Sequence, residues 1–188
     1  MEDSMDNEQE QTELLDDLMI QLSHSQVELA MSMNLQRHNE AVNIVKNHVV
    51  AGISMGLIPV VLFDIAALST NQQIMLRHLC QHYDVDFDSH QGKLLITSLI
   101  SGSIPVLAIM SLASVSKLIP GIGTLGGSAG VALLGGAITY ATGQTFIKHF
   151  NEGGTLEDFI PERFSGFFKK ELQKGKRFTR KKSQEVAA

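Results

Sequence analysis

Two adjoining apolar stretches decide the fold: LLITSLISGSIPVLAIMSLASVS at residues 94–116 and LIPGIGTLGGSAGVALLGGAITYATGQTFI at residues 118–147. Neither contains Asp, Glu, Lys or Arg, and only Lys117 separates them. About 20 apolar residues cross a bilayer as a helix, and Lys117-Leu-Ile-Pro-Gly is typical of a turn. The sequence therefore predicts an all-α protein with a helical hairpin in the membrane. The alternative is a water-soluble bundle with buried central helices, because Ser, Thr and Gly keep both stretches only mildly hydrophobic.

A third apolar stretch, residues 48–68, is interrupted by Pro59 and Asp64. A carboxylate at the bilayer centre costs roughly 2.5–3.5 kcal/mol. Three interpretations remain: a membrane span with Asp64 facing a partner helix, a re-entrant segment, or a cytosolic helix packed on the others. Polar residues flank the stretch on both sides and favour the last two.

Small residues recur at intervals of four along the second stretch, which is the spacing of one helix face. Such ridges let helix backbones approach closely. We expect this ridge to pack against residues 94–116. The alternative is a glycine zipper that associates with itself and perturbs or perforates a membrane. The glycines concerned are Gly126, Gly127, Gly130, Gly136 and Gly143.

The two ends of the chain carry opposite charge, although the net charge of the whole is −5. Residues 1–17 contain eight acids and no base, whereas residues 161–188 contain nine bases and three acids. No secretory signal is visible, because the acidic start is not followed by a signal-type apolar region. Basic segments flanking membrane spans stay in the cytoplasm. We therefore expect both termini to be cytoplasmic, with two spans between them.

The charge distribution and helix signals predict three regions. Residues 1–24 are expected to form an acidic, partly disordered tail with a short amphipathic helix. Residues 25–160 are expected to form the helical core, which begins with the capping-box pair Ser25 and Glu28. Residues 161–188 form a basic tail.

The basic tail has the composition of an interfacial helix. Aromatic side chains on one face and Lys or Arg on the other suit a helix that lies on anionic lipid. A nucleic-acid-binding tail is the rival interpretation, but no nucleic-acid-binding fold accompanies it. The residues assigned to the membrane surface are Phe164, Phe167, Phe168, Lys169, Lys170, Lys174 and Arg177.

Motifs that resemble cofactor-binding or calcium-binding sites lack residues or sequence context that such sites require. Gly121-Ile-Gly123-Thr-Leu-Gly126 matches G-x-G-x-x-G, but a proline precedes it and no acid follows before Glu152, so it lacks the context of a dinucleotide site. No P-loop sequence is present. The acidic run Asp84-Val-Asp-Phe-Asp lacks the Gly and closing Glu of a calcium loop. It is expected to be a solvated loop that caps a helix starting near Ser89.

Metal and catalytic sites are likewise not expected. His78 and His82 are spaced to share a metal, but no third ligand is near in sequence, so a surface helix is favoured. The single cysteine, Cys80, excludes a disulfide scaffold. We therefore assign no catalytic residue, no cofactor and no metal.

Several segments together resemble the bacterial DUF697 family over roughly residues 40–165. They are Pro59-Val-Val-Leu-Phe-Asp64-Ile, Gln73-Ile-Met-Leu, Lys117-Leu-Ile-Pro120-Gly121-Ile-Gly123, Thr139-Tyr-Ala-Thr-Gly143, and Phe146-Ile-Lys-His149-Phe150-Asn-Glu-Gly153-Gly154-Thr155. The resemblance implies a helical, membrane-associated bacterial protein similar to the YcjF-type inner-membrane proteins. In that family the domain also occurs fused behind a Ras-like or Era-like GTPase domain. This chain has no G-domain motifs, so a GTPase would act in trans.

The resemblance and the residues together predict a non-enzymatic module of the bacterial inner membrane. It would anchor or dock a cytosolic partner such as a GTPase or ATPase. Expected partners also include anionic lipid and a second copy of the chain, but no nucleic acid. The alternatives are a membrane-perturbing or pore-forming protein and a soluble helical adaptor. Candidate residues for the core or for docking are Pro59, Asp64, Gln73, Pro120, Gly121 and Gly123.

Overall fold

The computed structural model describes residues 2–56, 61–102 and 126–187, and every regular element in these ranges is an α-helix. The predicted all-α class is confirmed. The helices are α1 (Glu2–Gly56), α2 (Val61–Tyr83), α3 (Ser89–Ser101), α4 (Gly126–Asn151) and α5 (Pro161–Ala187).

Helix α1 is longer than the sequence interpretation allowed. The expected helix break near residue 25 is wrong, because α1 is continuous from Glu2 to Gly56. The partial disorder expected of residues 1–24 stays a prediction. Ser25 Oγ donates to the Leu22 carbonyl at 2.9 Å, so this serine lies inside the helix and is not a cap. The physical reason is that the first glycine is Gly52 and the first proline is Pro59. No helix-breaking residue therefore precedes Gly52.

The chain divides into two units, Met1–Asn39 and Glu40–Ala188, and the predicted boundaries after residues 24 and 160 stay predictions. The first unit consists of the N-terminal part of α1. Its large apolar side chains are solvent-exposed from Leu14 to Leu35. This segment therefore contributes no buried core of its own among its described side chains.

The second unit holds the hydrophobic core. Each of its helices contributes fully or nearly fully buried side chains, and each buried large apolar side chain contributes about 1.5–3 kcal/mol. Among the described helices, the most extensive contact joins α4 to α5. The core side chains include Val45, Val49, Met75, Leu76, Leu79, Ile96, Leu99, Ile138, Phe146, Ile147, Phe168 and Leu172.

Glycines on α4 and α5 permit the close helix contacts. A Cβ on Gly143 would overlap the Val45 side chain of α1. A Cβ on Gly136 would lie 2.8 Å from Thr179 of α5, and one on Gly175 would lie 2.7 Å from the Ala137 carbonyl oxygen of α4. Gly136 and Gly143 therefore face α1 and α5. The expected partner was residues 94–116, of which the structure describes 94–102.

The acidic loop between α2 and α3 has the role the sequence indicated. Asp84 adopts φ 56°, which turns the chain at the end of α2. Asp88 is the N-cap of α3, since its Oδ1 accepts a hydrogen bond from the Gln91 amide at 2.6 Å. The predicted cap and the helix start at Ser89 are confirmed.

Among the described helices, none combines the length and the apolarity that crossing a membrane requires. The predicted transmembrane hairpin therefore lacks support from these helices. Of the candidate span 94–116, residues 94–101 lie in α3, and of the span 118–147, residues 126–147 lie in α4. Residues 103–125 lie outside the described part of the chain. The ambiguous stretch 48–68 contributes the end of α1 and the start of α2.

Candidate functional site

Helix α5 begins at Pro161, a residue suited to the first turn because it has no amide hydrogen to leave unpaired. Two glycines interrupt its sequence. Gly175 is required by the contact with Ala137 on α4, whereas a Cβ on Gly166 would meet nothing within 4 Å. The helix therefore follows α4 closely at Gly175, and this contact sets which face of α5 points inward.

The inward face of α5 is fully covered. Phe168 is 0% exposed, Leu172 is 2% exposed and Thr179 is 0% exposed. Phe164 is half-buried and stacks on Phe159 with ring centroids 4.9 Å apart. This face belongs to the protein core.

The prediction that the α5 aromatics lie on lipid is wrong for Phe168 and stays a prediction for Phe164 and Phe167. Phe168 cannot reach a membrane surface because it is fully buried. Phe164 packs in the ring cluster with Phe159 and His149. Phe167 is half-buried, with Lys148 Nζ 5.8 Å from its ring centre. Protein covers Phe168 and Leu172 of the predicted apolar stripe, whereas Phe164 and Phe167 are partly exposed.

The outward face of α5 carries the positive charge. Six exposed bases fall within a sector of about 140° of the helix circumference, at 100° per residue. They lie opposite the buried stripe. These residues are Lys169, Lys170, Lys174, Arg177, Arg180 and Lys181, and they are referred to below as the basic face.

A shallow cavity of about 400 Å³ lies on the basic face. Arg and Lys side chains offer only hydrogen-bond donors, and Arg binds phosphate and carboxylate oxygens in a bidentate manner. The surroundings therefore suit an anionic group. The cavity is lined by Gln173, Lys176, Arg177, Arg180, Lys181 and Gln184.

One base of this face is held by its own helix. Lys174 Nζ lies 2.7 Å from Glu171 Oε1, and the Glu171 side chain is 4% exposed. The hydrogen bond to Glu171 raises the pKa of Lys174. Lys174 therefore neutralises a buried carboxylate, a role that the i, i+3 spacing of Glu171 and Lys174 on a helix could have indicated.

The remaining predicted residues do not form one site in the described structure. Gln73 is half-buried on α2 and lines a cavity of about 280 Å³ with Thr70, Ile74, Arg77 and Phe87. Asp64 lies in α2, but its side chain is outside the described set, as are Pro59, Pro120, Gly121 and Gly123 altogether. Gly126, Gly127 and Gly130 lie in the first turns of α4.

A histidine cluster between α1 and α2 escaped the sequence interpretation. His48 Nδ1 donates to Asn71 Oδ1 at 2.8 Å, and His48 Nε2 lies 3.1 Å from His78 Nδ1. Partial burial, then the neighbouring His48 and Arg77, lower the pKa of His78. His78 and His48 are 30 residues apart in sequence, so only the packing of α1 on α2 reveals the pair.

The neighbouring groups do not suggest metal or thiol chemistry. His82 Nδ1 lies 4.0 Å from Oε2 of Glu40, a carboxylate on α1. Within the described ranges, no cluster of three or more His, Cys, Asp or Glu side chains could hold a metal ion. Burial raises the pKa of the Cys80 thiol to about 12, which keeps it protonated.

The segment from Phe146 to Thr155 has a structural explanation. His149 Nε2 donates to the Thr155 carbonyl at 2.7 Å and lies 3.3 Å from Asp158 Oδ1. Gly153 adopts φ 81°, and a Cβ on Gly154 would overlap the His149 ring. These residues end α4 and direct the chain toward α5.

Comparison with known proteins agrees with the family resemblance. The family model described as "Domain of unknown function (DUF697)" matches residues 20–177. The chain is also 35% identical over 150 residues to a protein named "Magnetosome membrane protein 22" from Magnetospirillum gryphiswaldense (strain DSM 6361 / JCM 21280 / NBRC 15271 / MSR-1). That alignment covers 79% of this chain and 77% of the relative. No solved structure matches significantly. The chain therefore belongs to the DUF697 family, whose resemblance was identified from the sequence.

Proposed function

We propose that this protein is a non-enzymatic membrane module and that the basic face of α5 binds an anionic lipid surface. The observation that carries the proposal is the separation of the two faces of this helix. The apolar face is buried against the protein, so the exposed bases are the part of α5 that is available to a partner. The relative is named as a magnetosome membrane protein, which supports a membrane setting.

The proposed contact is electrostatic. Each Lys or Arg near an anionic surface contributes on the order of 1 kcal/mol, and the attraction decays over a Debye length of about 10 Å at 0.1 M salt. Lipid phosphates would occupy the cavity beside Arg177 and Arg180. Insertion of the α5 aromatics is not part of this mode, because Phe168 is fully buried.

The cytoplasmic leaflet of the bacterial inner membrane is the proposed location of this surface, with both termini in the cytoplasm. A basic segment next to a membrane is retained on the cytoplasmic side. Protease added to intact spheroplasts should then leave both termini uncut. Cleavage of either terminus under those conditions would contradict the orientation.

Vesicle sedimentation with the full chain tests the lipid contact. Vesicles of phosphatidylcholine alone are compared with vesicles that contain about 30% phosphatidylglycerol, over a series of salt concentrations. We expect binding to the anionic vesicles only, with loss at high salt because exposed charges are screened. Equal binding to both vesicle types would contradict the proposal.

A matched pair of charge-reversal variants locates the contact. Arg177→Glu with Arg180→Glu changes two exposed bases of the basic face. Lys46→Glu with Lys93→Glu makes the same change in net charge at exposed bases on α1 and α3. We expect the first variant to lose at least about tenfold in vesicle binding and the second to bind nearly as the unmodified chain does.

Docking of a cytosolic GTPase or ATPase is a second candidate function. The observation in its favour is the surface of α2 around Gln73, where Ile74 is 44% exposed beside Arg77 and a shallow cavity. An exposed large apolar side chain next to an Arg is a composition that protein interfaces favour.

Site-specific photo-crosslinking in cells tests the docking candidate. A photoreactive amino acid at position Gln73 is compared with one at Lys93, which is exposed on α3. We expect a nucleotide-binding protein among the adducts that form only at Gln73. Identical adducts at both positions would contradict docking at this surface.

A further inference from the structure

The N-terminal part of α1 exposes an unusual amount of apolar surface. Its large apolar side chains between residues 14 and 35 are 47–66% exposed. Soluble proteins rarely leave a contiguous apolar surface of this kind without a partner. The side chains are Leu14, Leu15, Leu18, Met19, Ile20, Leu22, Val27, Leu29, Met31, Met33 and Leu35.

Most of these side chains share one face. At 100° per residue, seven of them fall within about 140° of the helix circumference. Within this face, alternating steps of four and three residues define a seam, which is the spacing of a coiled coil. The seam consists of Leu15, Met19, Leu22, Gln26, Leu29, Met33 and Gln36.

We propose that this seam pairs with the same seam of a second copy of the chain, as a parallel two-stranded coiled coil over residues 15–36. The d positions are Leu15, Leu22, Leu29 and Gln36, so leucine, which two-stranded parallel coiled coils favour at d, occupies three of the four. The a positions are Met19, Gln26 and Met33. In a parallel pair, Gln26 lies opposite Gln26 of the second copy, and a polar residue at one a position fixes register.

Charge argues against lipid as the occupant of this face. Eight acids and no base lie within residues 1–17, and an anionic surface repels them. Between residues 18 and 36 the only charged side chain is Glu28. The seam region is therefore almost uncharged and complementary to itself.

The acidic segments give this contact a recognisable salt dependence. In a parallel pair the two acidic segments lie side by side and repel each other. Added salt screens this repulsion, so it should strengthen the pairing. Salt should weaken the α5–lipid contact proposed above, so the two proposals make opposite predictions and can fail separately.

Sedimentation equilibrium of the full chain at micromolar concentration tests the pairing. We expect a dimer whose dissociation constant decreases from 50 to 500 mM salt. Leu22→Lys with Leu29→Lys should raise the dissociation constant by at least about 100-fold, because four leucines of the seam are replaced by four charges.

The control variant is Ile20→Lys with Val27→Lys. These side chains are 56% and 58% exposed and lie on the opposite side of α1, so the charge change and the exposure are matched. We expect this variant to dimerise like the unmodified chain. Far-UV circular dichroism should show that both variants remain helical. The α5 variant Arg177→Glu with Arg180→Glu should also remain dimeric.

Cysteine crosslinking tests the orientation. The chain has one cysteine, Cys80, which is fully buried and does not compete. Leu15→Cys should form a disulfide with itself under mild oxidation. A monomer, a dimer insensitive to the Leu22 and Leu29 changes, or a disulfide that forms only between Leu15→Cys and Met33→Cys would overturn the proposal.

Discussion

Two amphipathic segments lie at opposite ends of the chain, and they differ in whether their apolar faces are buried. In α5 the apolar stripe is buried against α4, and the charged face meets solvent. In α1, between residues 14 and 35, the apolar face itself meets solvent. The periodicity of the two sequences is of the same kind. In the described residues α4 covers the apolar stripe of α5, whereas the α1 side chains are exposed. The difference shows that an apolar stripe on a helix predicts that the stripe is covered. The stripe does not predict which surface covers it.

The largest expected effect comes from truncating the buried stripe of α5. Phe168→Ala should lower the free energy of unfolding by about 3–5 kcal/mol, because it leaves a large cavity in the core. Urea unfolding followed by circular dichroism measures it. Phe167→Ala at a half-buried position should cost about 1 kcal/mol.

The corresponding truncation in α1 sharpens the comparison. Leu22→Ala should change the free energy of unfolding by no more than about 0.5 kcal/mol when the protein is dilute enough to be monomeric. A large loss there would show that the apolar face of α1 is covered within one chain. That result would break the comparison.

A second prediction concerns the close helix contacts that bury the α4 and α5 faces. Gly143→Ala places a Cβ against Val45 and should destabilise the protein by about 1–3 kcal/mol through overpacking. Gly166→Ala on α5 meets open space and should be neutral or stabilising by up to about 1 kcal/mol. Thermal unfolding of the two variants provides the measurement. Equal changes in stability for the two variants would mean that neither glycine is required by a close helix contact.

A third prediction tests the N-cap of α3. This contact joins residues close in sequence and lies in the same unit as α5. Asp88→Ala removes the N-cap of α3 and should cost about 1 kcal/mol. Asp86→Ala, an exposed acid in the same loop, is the control and should cost less than about 0.5 kcal/mol. Chemical unfolding of both variants gives the difference. A larger loss for Asp86→Ala would contradict the capping role.

The smallest effect is the pH dependence contributed by His78. The pKa of His78 is lower in the folded protein than its ordinary value of 6.5. The unfolded chain therefore binds this proton first, and the contribution to stability is present above pH 6.5 and lost as the pH falls below it. His78→Gln should reduce the slope of the unfolding free energy against pH between 7 and 5. An unchanged slope would contradict this contribution.

Local signals in the sequence account for several features. The all-α class, the acidic loop, the Asp88 cap and the family follow from composition, spacing and short segments. The absence of Gly and Pro before Gly52 also indicates that α1 is continuous. The capping-box pair Ser25 and Glu28 was misinterpreted because a serine can equally bond a carbonyl within its own helix. For this reason Ser25 alone could not place a helix start.

The sequence by itself determined which residues share a face, because the helical period is a property of the backbone. Only the tertiary structure decided what covers each face. Gly175 is fitted to Ala137 of α4, Phe168 is buried, and His48 meets His78 across 30 residues. These contacts depend on the approach of helices distant in sequence, and neither propensity nor periodicity encodes that approach. The same physics places the bases of α5 outward, since their charges remain hydrated while the opposite face packs on α4.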